Sequence, residues 1–594
     1  MPVDLLSRLV RHGREIPDRE AVVFVRHGAS GPLEEPLTYG ELDRRARALA
    51  CWLRERCAVG DRVMLLYGTG LDFVSVLAGC MYAGVVAIPA PQPSTQRGHS
   101  TRSDGIVRDA EVSLVLTDSE NHDTALGLLA HAGLDDIPCV ATDRLGLPDA
   151  PSDWQAEPPA DERPVIVQYT SGSTSDPKGV LVTWGSLNHN LGLTSRAFGV
   201  DAGHRTLSWL PQHHDMGLMG MLLTPLCQGA TAYLMSPMDF LRRPHVWLRL
   251  VGLKRINTIV APNFAYDLCT RRVTDAQLTG LDFGSLVSAG NGAEPVSADT
   301  MRRFAERFAP AGFRLDHFSP CYGMAETTLI VSGTLPGEAP VLTSVDTDAL
   351  AAKEFRPVAP GTAGTWLVSS GRVHDLELRI VDPDTLATRP DGRAGEIWVR
   401  GASVAAGYWR REEVTERIFR ASTVEGERGF LRTGDIGVLH DGRLYVTGRL
   451  KDLLIVNGRN LHPHDIEREL VSLHDGFRGL SGSACSVPAA GAGAPGSASE
   501  GEQIVVMQEI RRAPADPDEL AALSARLRGD LSARVGVRIA NLVLLRPGQV
   551  RKTTSGKVQR SLMRELFIDG GLEAVFEDLD TAAAGRYRSE ATPV

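Results

Sequence analysis

The chain has 594 residues, more than one domain by length and ample for a large core. Apolar residues make up 43% and charged residues 23%, the balance of an ordinary soluble globular protein. The 63 basic and 73 acidic residues leave a net charge of −10, which argues against a dedicated nucleic-acid binder.

The eight cysteines are scattered with no Cys-x-x-Cys pair. Neither a zinc site nor a disulfide framework is expected, and buried thiols in a reducing compartment are. Residues 1–17 are charged from Asp4 onward and hold no apolar core of signal-peptide length. The most membrane-like window, 75–91, contains Gly79, Gly84 and a terminal Pro-Ala-Pro, and falls short of a span. It reads as a buried helix passing into a strand. No transmembrane segment is expected, and the cytoplasm is the expected location.

In chain order, Leu5, Leu6, Leu9 and Val10 recur at helical spacing, 21–25 reads as a strand, and Thr38 caps a helix running to about Arg56. A strand at 61–67, a helix at 73–83 and a strand at 85–88 follow. That alternation is the mark of βαβ units and a parallel sheet, hence an α/β fold. Residues 89–105 read as a Pro/Ser/Arg loop, 112–116 and 137–141 continue the rhythm, and the Pro- and acid-rich 147–164 read as a surface connection.

The apolar run 165–167 leads into Thr170-Ser171-Gly172-Ser173-Thr174-Ser175-Asp176-Pro177-Lys178-Gly179-Val180. Hydroxyls and amide N–H groups can donate to phosphate oxygens, glycine lets the backbone approach, and Lys178 adds charge, so the loop can wrap a polyphosphate. The spacing of a Walker loop is absent. A Ser/Thr/Gly surface loop ahead of a lysine has the same composition, and the rest of the chain must separate the two.

Next comes Trp209-Leu210-Pro211-Gln212-His213-His214-Asp215-Met216-Gly217, between a strand and an apolar helix at 218–226. Taken alone, His214 is more simply a hydrogen-bonded structural histidine than a catalytic group, and no third ligand follows at metal spacing. Strand-to-helix turns recur at 258–266, at 286–295 and at 320–328. Such turns place ligands at the C-terminal ends of parallel strands. Residues 335–366, with four prolines, read as an insertion. Strands at 376–381, 395–399, 434–439 and 444–446 follow, separated by turns. Gly448-Arg449-Leu450-Lys451-Asp452 opens a last segment with strands at 453–456, 504–509 and 542–545, two helices, and a low-complexity loop at 489–502. The expected domains are therefore 1–447 and 448–594.

Five motifs stand in one order: 170–180, Tyr322-Gly323-x-Ala-Glu326, Thr433-Gly434-Asp435, Gly448-Arg449-x-Lys-Asp and Thr554-Ser555-Gly556-Lys557-x-x-Arg560. In this order and spacing the chain resembles the adenylate-forming superfamily of acyl-CoA synthetases, luciferases and peptide-synthetase adenylation domains, over nearly its whole length. The stretches 169–175, 209–218, 320–329 and 457–467, together with the insertion, resemble the fatty acyl-AMP ligases more closely.

The resemblance implies a large N-terminal domain with two αβ-layered sheets and a small distorted β-barrel subdomain, then a small mobile α+β C-terminal domain. It implies that a fatty acid carboxylate attacks the α-phosphate of ATP, giving acyl-AMP and pyrophosphate, and that the acyl group passes to the phosphopantetheine thiol of an acyl carrier protein, stand-alone or a domain of a polyketide or peptide synthase. Such a reaction asks the protein mainly for positioning and charge neutralisation. By the same resemblance, Thr170, Ser171, Gly172, Ser173, Thr174 and Lys178 hold the outer phosphates. Asn291, Gly292, Ala293, Glu294 and Pro295, with Tyr322, Gly323, Met324 and Ala325, surround the base. Asp435 and Arg449 take the ribose, and Glu326 binds Mg²⁺. Lys557 bridges the substrate carboxylate and the α-phosphate, and Lys451 is the hinge. His214, Met216, Phe264, Tyr266 and Met324 border the acyl tunnel, with His214, Lys178 and Lys557 as the catalytic set. Ala325 replaces the usual threonine of acyl-CoA synthetases, and Arg551 replaces a common proline. No carrier signature follows Lys557, so a separate carrier chain is expected. An acyl-CoA synthetase shares the first half-reaction and is the nearest rival; a non-catalytic adenylate-binding protein is the second.

Overall fold

The computed structural model describes residues 4–28, 31–92, 100–151, 153–170, 177–359, 361–456, 459–488, 502–553 and 556–588. The chain divides into two units. One comprises Met1–Ser344, Trp366–Thr433 and Gly437–Val446; the other comprises Val345–Thr365, Gly434–Ile436 and Thr447–Val594. Part of the stretch expected as an insertion of the first domain thus groups with the C-terminal residues.

The first unit is α/β. A six-stranded sheet runs Cys139–Ala141, Leu114–Thr117, Arg62–Leu66, Val86–Pro89, Pro164–Tyr169, Gly179–Thr183, parallel except for its last pair. A nine-stranded sheet has a parallel centre made by Phe318–Gly323, Ser288–Asn291, Thr258–Ala261, Arg205–Ser208, Thr231–Met235 and Glu20–Gly28. Antiparallel strands close both edges. One of them, Gly31–Thr38, carries Pro32 and Pro36 and was not expected. Proline lacks the ladder N–H, and an edge strand tolerates it.

Local chemistry sets the helix ends. Thr38 Oγ1 accepts from Glu41 N at 3.2 Å to start Tyr39–Arg54. Helix Leu71–Ala83 is buried on every side from Phe73 onward and stops at Gly84 in the left-handed region (φ 78°). Its all-round apolarity is that of a core helix between sheets, which is why its sequence looks membrane-like. Among the described residues no helix is long and apolar enough to cross a membrane. All eight cysteines are unpaired thiols, five of them buried.

A five-stranded sheet follows, built on Glu377–Val381, Gly395–Arg400, Arg428–His440, Ala421–Ser422 and Arg443–Arg449, with the first two strands and the Ala421–Ser422/Arg428–His440 pair antiparallel. The C-terminal region is α+β. In strand Glu502–Glu509, Ile504 and Val506 pack with helices Pro463–Leu473 and Pro517–Val535. Val505 and Met507 pack with helix Arg560–Ile568 on the opposite face. The period of two explains why this strand reads as an unbroken apolar run.

Candidate active site

Strand Pro164–Tyr169 ends at the hydroxyl-rich loop, and strand Gly179–Thr183 brings the chain straight back antiparallel. Thr170 N donates to Lys178 O at 3.2 Å, so the loop opens and closes at one neck. Ser171, Gly172, Ser173 and Thr174 lie outside the described residues. Lys178 Nζ sits 5.4 Å from the ring centroid of Tyr408.

The stretch 320–328 was expected to turn from strand to helix and does not. Strand Phe318–Gly323 passes through one 3₁₀ turn, Ala325–Thr327, into the antiparallel strand Ile330–Gly333. Thr328 adopts φ 66° and Met324 N donates to Leu329 O at 2.8 Å. A Cβ at Gly323 would stand 1.8 Å from Leu329 O, so only glycine permits this tight return. The turn holds Glu326, 9% exposed, and Tyr408 Oη donates to Glu326 Oε1 at 2.8 Å.

Asn190 braces the turn from behind. Its amide donates to Thr327 O and Ile330 O at 3.1 and 2.9 Å, and its Oδ1 accepts from Ile330 N at 3.1 Å. Sequence reasoning missed both Asn190 and Tyr408. The available signals were an asparagine on the apolar face of helix Trp184–Phe198 and an aromatic pair directly after Gly407.

Tyr322 is buried, with its hydroxyl 4.0 Å from Met324 Sδ. The neighbouring turn after strand Ser288–Asn291 carries Ala293 at φ 70°. Asn291 is buried, donates to Asn263 Oδ1 at 3.0 Å, and among the described residues has no partner for its own Oδ1. Cys321 Sγ donates to Asn291 O at 3.6 Å, and a Cβ at Gly292 would meet that sulfur at 2.9 Å. The four residues Asn291, Gly292, Cys321 and Tyr322 thus share one strand-end corner.

His214 Nδ1 lies 2.7 Å from Asp215 Oδ1, which also accepts from Met216 N. The expected apolar helix at 218–226 is instead a π-helix, Met216–Leu223, followed by a short α-helix, Thr224–Gln228. A π-turn shifts the register by one residue and is frequent at functional sites. Met216 is buried, and Phe264 is half-buried with its ring 5.7 Å from that of Trp209. Tyr266 is different: it is fully buried, donates to Gly290 O at 2.7 Å and packs edge-on against Phe304 and Phe318. Its surroundings are those of a core side chain.

In the second unit, Arg449 Nε donates to Asp435 Oδ1 at 3.2 Å, and Asp435 is buried. Lys451 is exposed in the 3₁₀ turn Leu450–Asp452. Lys557 lies in a tight loop closed by Lys557 N to Thr553 Oγ1 at 3.1 Å and Thr553 N to Lys557 O at 2.8 Å. Arg560 anchors that loop's exit through paired bonds to Glu467 at 2.7 and 2.6 Å.

A protein-family profile described as AMP-binding enzyme matches residues 9–409. The medium-chain-fatty-acid–[acyl-carrier-protein] ligase JamA of Moorena producens is 37% identical over 572 residues, 93% of each chain. The long-chain-fatty-acid–AMP ligase FadD26 of Mycobacterium marinum is 35% identical over 594 residues, 96% of this chain and 99% of that one. A fatty acyl-adenylate ligase from L. pneumophila, solved with acyl adenylate and pyrophosphate, superposes with TM-score 0.73 at 33% identity over 97% of each chain.

Proposed function

The chain belongs to the AMP-binding enzyme family, and from that premise we propose the chemistry of its site in residue terms. It is a fatty acyl-AMP ligase: it uses ATP to convert a fatty acid to acyl-AMP and pyrophosphate. We read the acyl group as passing on to the phosphopantetheine thiol of a carrier protein, as the name of the JamA relative suggests. The observation that carries the residue reading is that Lys178, at the neck of the hydroxyl-rich loop, and the buried carboxylate of Glu326 share one tyrosine, Tyr408.

A carboxylate oxygen of the fatty acid attacks the α-phosphorus, the bond to the β-phosphate oxygen breaks, and pyrophosphate leaves. Lys178 and the loop stabilise the leaving group. A single buried carboxylate joined by phosphate oxygens is a donor set that suits Mg²⁺, so Glu326 fits as its protein ligand. Mg²⁺ there would neutralise charge on the departing phosphates. Lys557 faces the developing charge on the α-phosphate, Asp435 accepts from the ribose hydroxyls, and Tyr322 with the 291–295 turn encloses the base. His214, Met216, Phe264 and Met324 border the acyl chain. The carrier thiol then attacks the acyl carbon and AMP leaves.

ATP–pyrophosphate exchange across a panel of medium- and long-chain fatty acids, with acyl-AMP identified by mass, tests the first half. Side-by-side supply of CoA and a phosphopantetheinylated carrier protein tests the second. Rapid acyl-CoA formation without carrier acylation would make the chain an acyl-CoA synthetase, and absence of exchange with every fatty acid of the panel would make it a non-catalytic binder.

A further inference from the structure

The segment 401–411 lies along the open edge of strand Gly179–Thr183. Ala406 N donates to Leu181 O at 2.9 Å, Leu181 N to Gly407 O at 2.9 Å, and Trp409 N to Gly179 O at 2.7 Å. Ala405 N donates to Glu326 O at 3.0 Å. The strap therefore grips both the strand that leaves the hydroxyl-rich loop and the turn that carries Glu326.

Its own conformation is tightly set. Gly407 has φ 146°, and a Cβ there would stand 2.3 Å from Thr415 Cγ2. Tyr408 N donates to Thr415 Oγ1 at 3.0 Å, and the tyrosine ring packs edge-on against Phe419 at 5.0 Å. Trp409 Nε1 donates to Asp109 O at 3.1 Å and pins the next residue to a separate helix. Both flanks of Tyr408 are fixed, so its ring and hydroxyl have one place to go.

We propose that Tyr408 is a positioning residue coupling the two charged groups of the phosphate site: its hydroxyl orients the Glu326 carboxylate and its ring face steers Lys178. This rests on the reading of Lys178 and Glu326 given above. A hydroxyl donating to one carboxylate oxygen fixes the plane of the carboxylate and so the direction of its other lone pairs. A cation near a ring face is attracted by the ring quadrupole and loses rotamer freedom.

The two arms separate by substitution. Tyr408→Phe keeps the ring and deletes the hydroxyl; Tyr408→Leu deletes both. The probe is ATP itself, without fatty acid, titrated by calorimetry into each protein with EDTA and with Mg²⁺. For Tyr408→Phe, affinity in EDTA stays at the wild-type value, while the gain in affinity on adding Mg²⁺ falls by about tenfold, the scale of one hydrogen bond to a charged group. For Tyr408→Leu, affinity in EDTA also falls by about threefold, the scale of one cation–π contact. In ATP–pyrophosphate exchange, Tyr408→Phe raises the half-saturating Mg²⁺ concentration without changing the KM for ATP at saturating Mg²⁺. A purely structural role would lower kcat or Tm and leave the Mg²⁺ dependence alone. Wild-type Mg²⁺ dependence in Tyr408→Phe overturns the proposal. Wild-type protein that binds ATP no better with Mg²⁺ than with EDTA removes the reading of Glu326 beneath it, a distinguishable failure.

Discussion

Lys557 and Lys178 carry like charges but are asked for different work. Lys178 is held at a loop neck beside a ring and meets charge that ATP already has. Lys557 sits in a short closed loop and is assigned to charge that develops only in the transition state. A donor of that second kind acts on kcat. Lys557→Ala is therefore expected to slow acyl-AMP formation by about 10²–10³, the scale of one lost donor to developing charge. Transfer from supplied acyl-AMP to a carrier should continue, because its charge builds at the acyl carbonyl. Rapid-quench measurement of each half separately checks this, and equal losses in both would remove the role. The residues that touch ATP in this reading were legible because they sit in short local motifs. Those that aim them were not: Tyr408 reaches Glu326 across 82 positions and Asn190 reaches Ile330 across 140. No local pattern encodes such contacts, and a buried polar side chain reveals its partner only when the chain is folded.

At the scale of elements, the turn that presents Glu326 depends on a helix it does not follow in sequence. Asn190→Ala leaves Ile330 N without its side-chain acceptor and two carbonyls without that donor, in a buried place. The expected cost is about 3 kcal/mol, read as a lowered urea midpoint of the first unit. A weaker Mg²⁺-dependent gain in ATP binding should accompany it. A second element-scale effect lies in the other unit. His462 Nδ1 is buried with no hydrogen-bond partner among the described residues, and Gly448 is packed so close that a Cβ there would stand 2.5 Å from that nitrogen. Burial, then the neighbouring His464, pushes the His462 imidazole down to about 4 from 6.5. The unfolded chain binds the extra proton first, so the stability contributed by neutral His462 is complete above pH 6.5 and is lost as pH falls toward 4. Denaturant midpoints of the second unit should fall across that window, and His462→Phe should flatten the slope. His464, also pushed down by burial, leaves a residual slope. The helix caps and parallel strands were readable because capping and apolar periodicity are local. The edge strand Gly31–Thr38 and the hairpin at Glu326 were not, because pairing across the sheet overrides prolines in one and a helix-like turn signal in the other.

For the molecule as a whole, the proposed function asks one chain to serve two successive attacks on different atoms. The second unit gathers three separate segments, Val345–Thr365, Gly434–Ile436 and Thr447–Val594, and Asp435, Arg449 and Lys557, all assigned above to the nucleotide, belong to it. We propose that a change of state between the two half-reactions acts through backbone torsion near the start of the last of these segments. Lys451 is the residue proposed to absorb that torsion. It lies exposed within the 3₁₀ turn Leu450–Asp452, and proline holds φ near −65°, a value such a turn already uses. Lys451→Pro should therefore fold and keep the half-reaction that uses this turn, while slowing the other by at least about tenfold, since a single fixed torsion denies the second arrangement. Lys451→Ala, which leaves the torsion open, should run both halves at nearly the wild-type rate. The comparison is made on single-turnover acyl-AMP formation without carrier and on transfer from supplied acyl-AMP. If proline slows both halves equally, or neither, the pivot is elsewhere in the chain; if it splits them and alanine does not, backbone freedom at this one position is what links the two reactions.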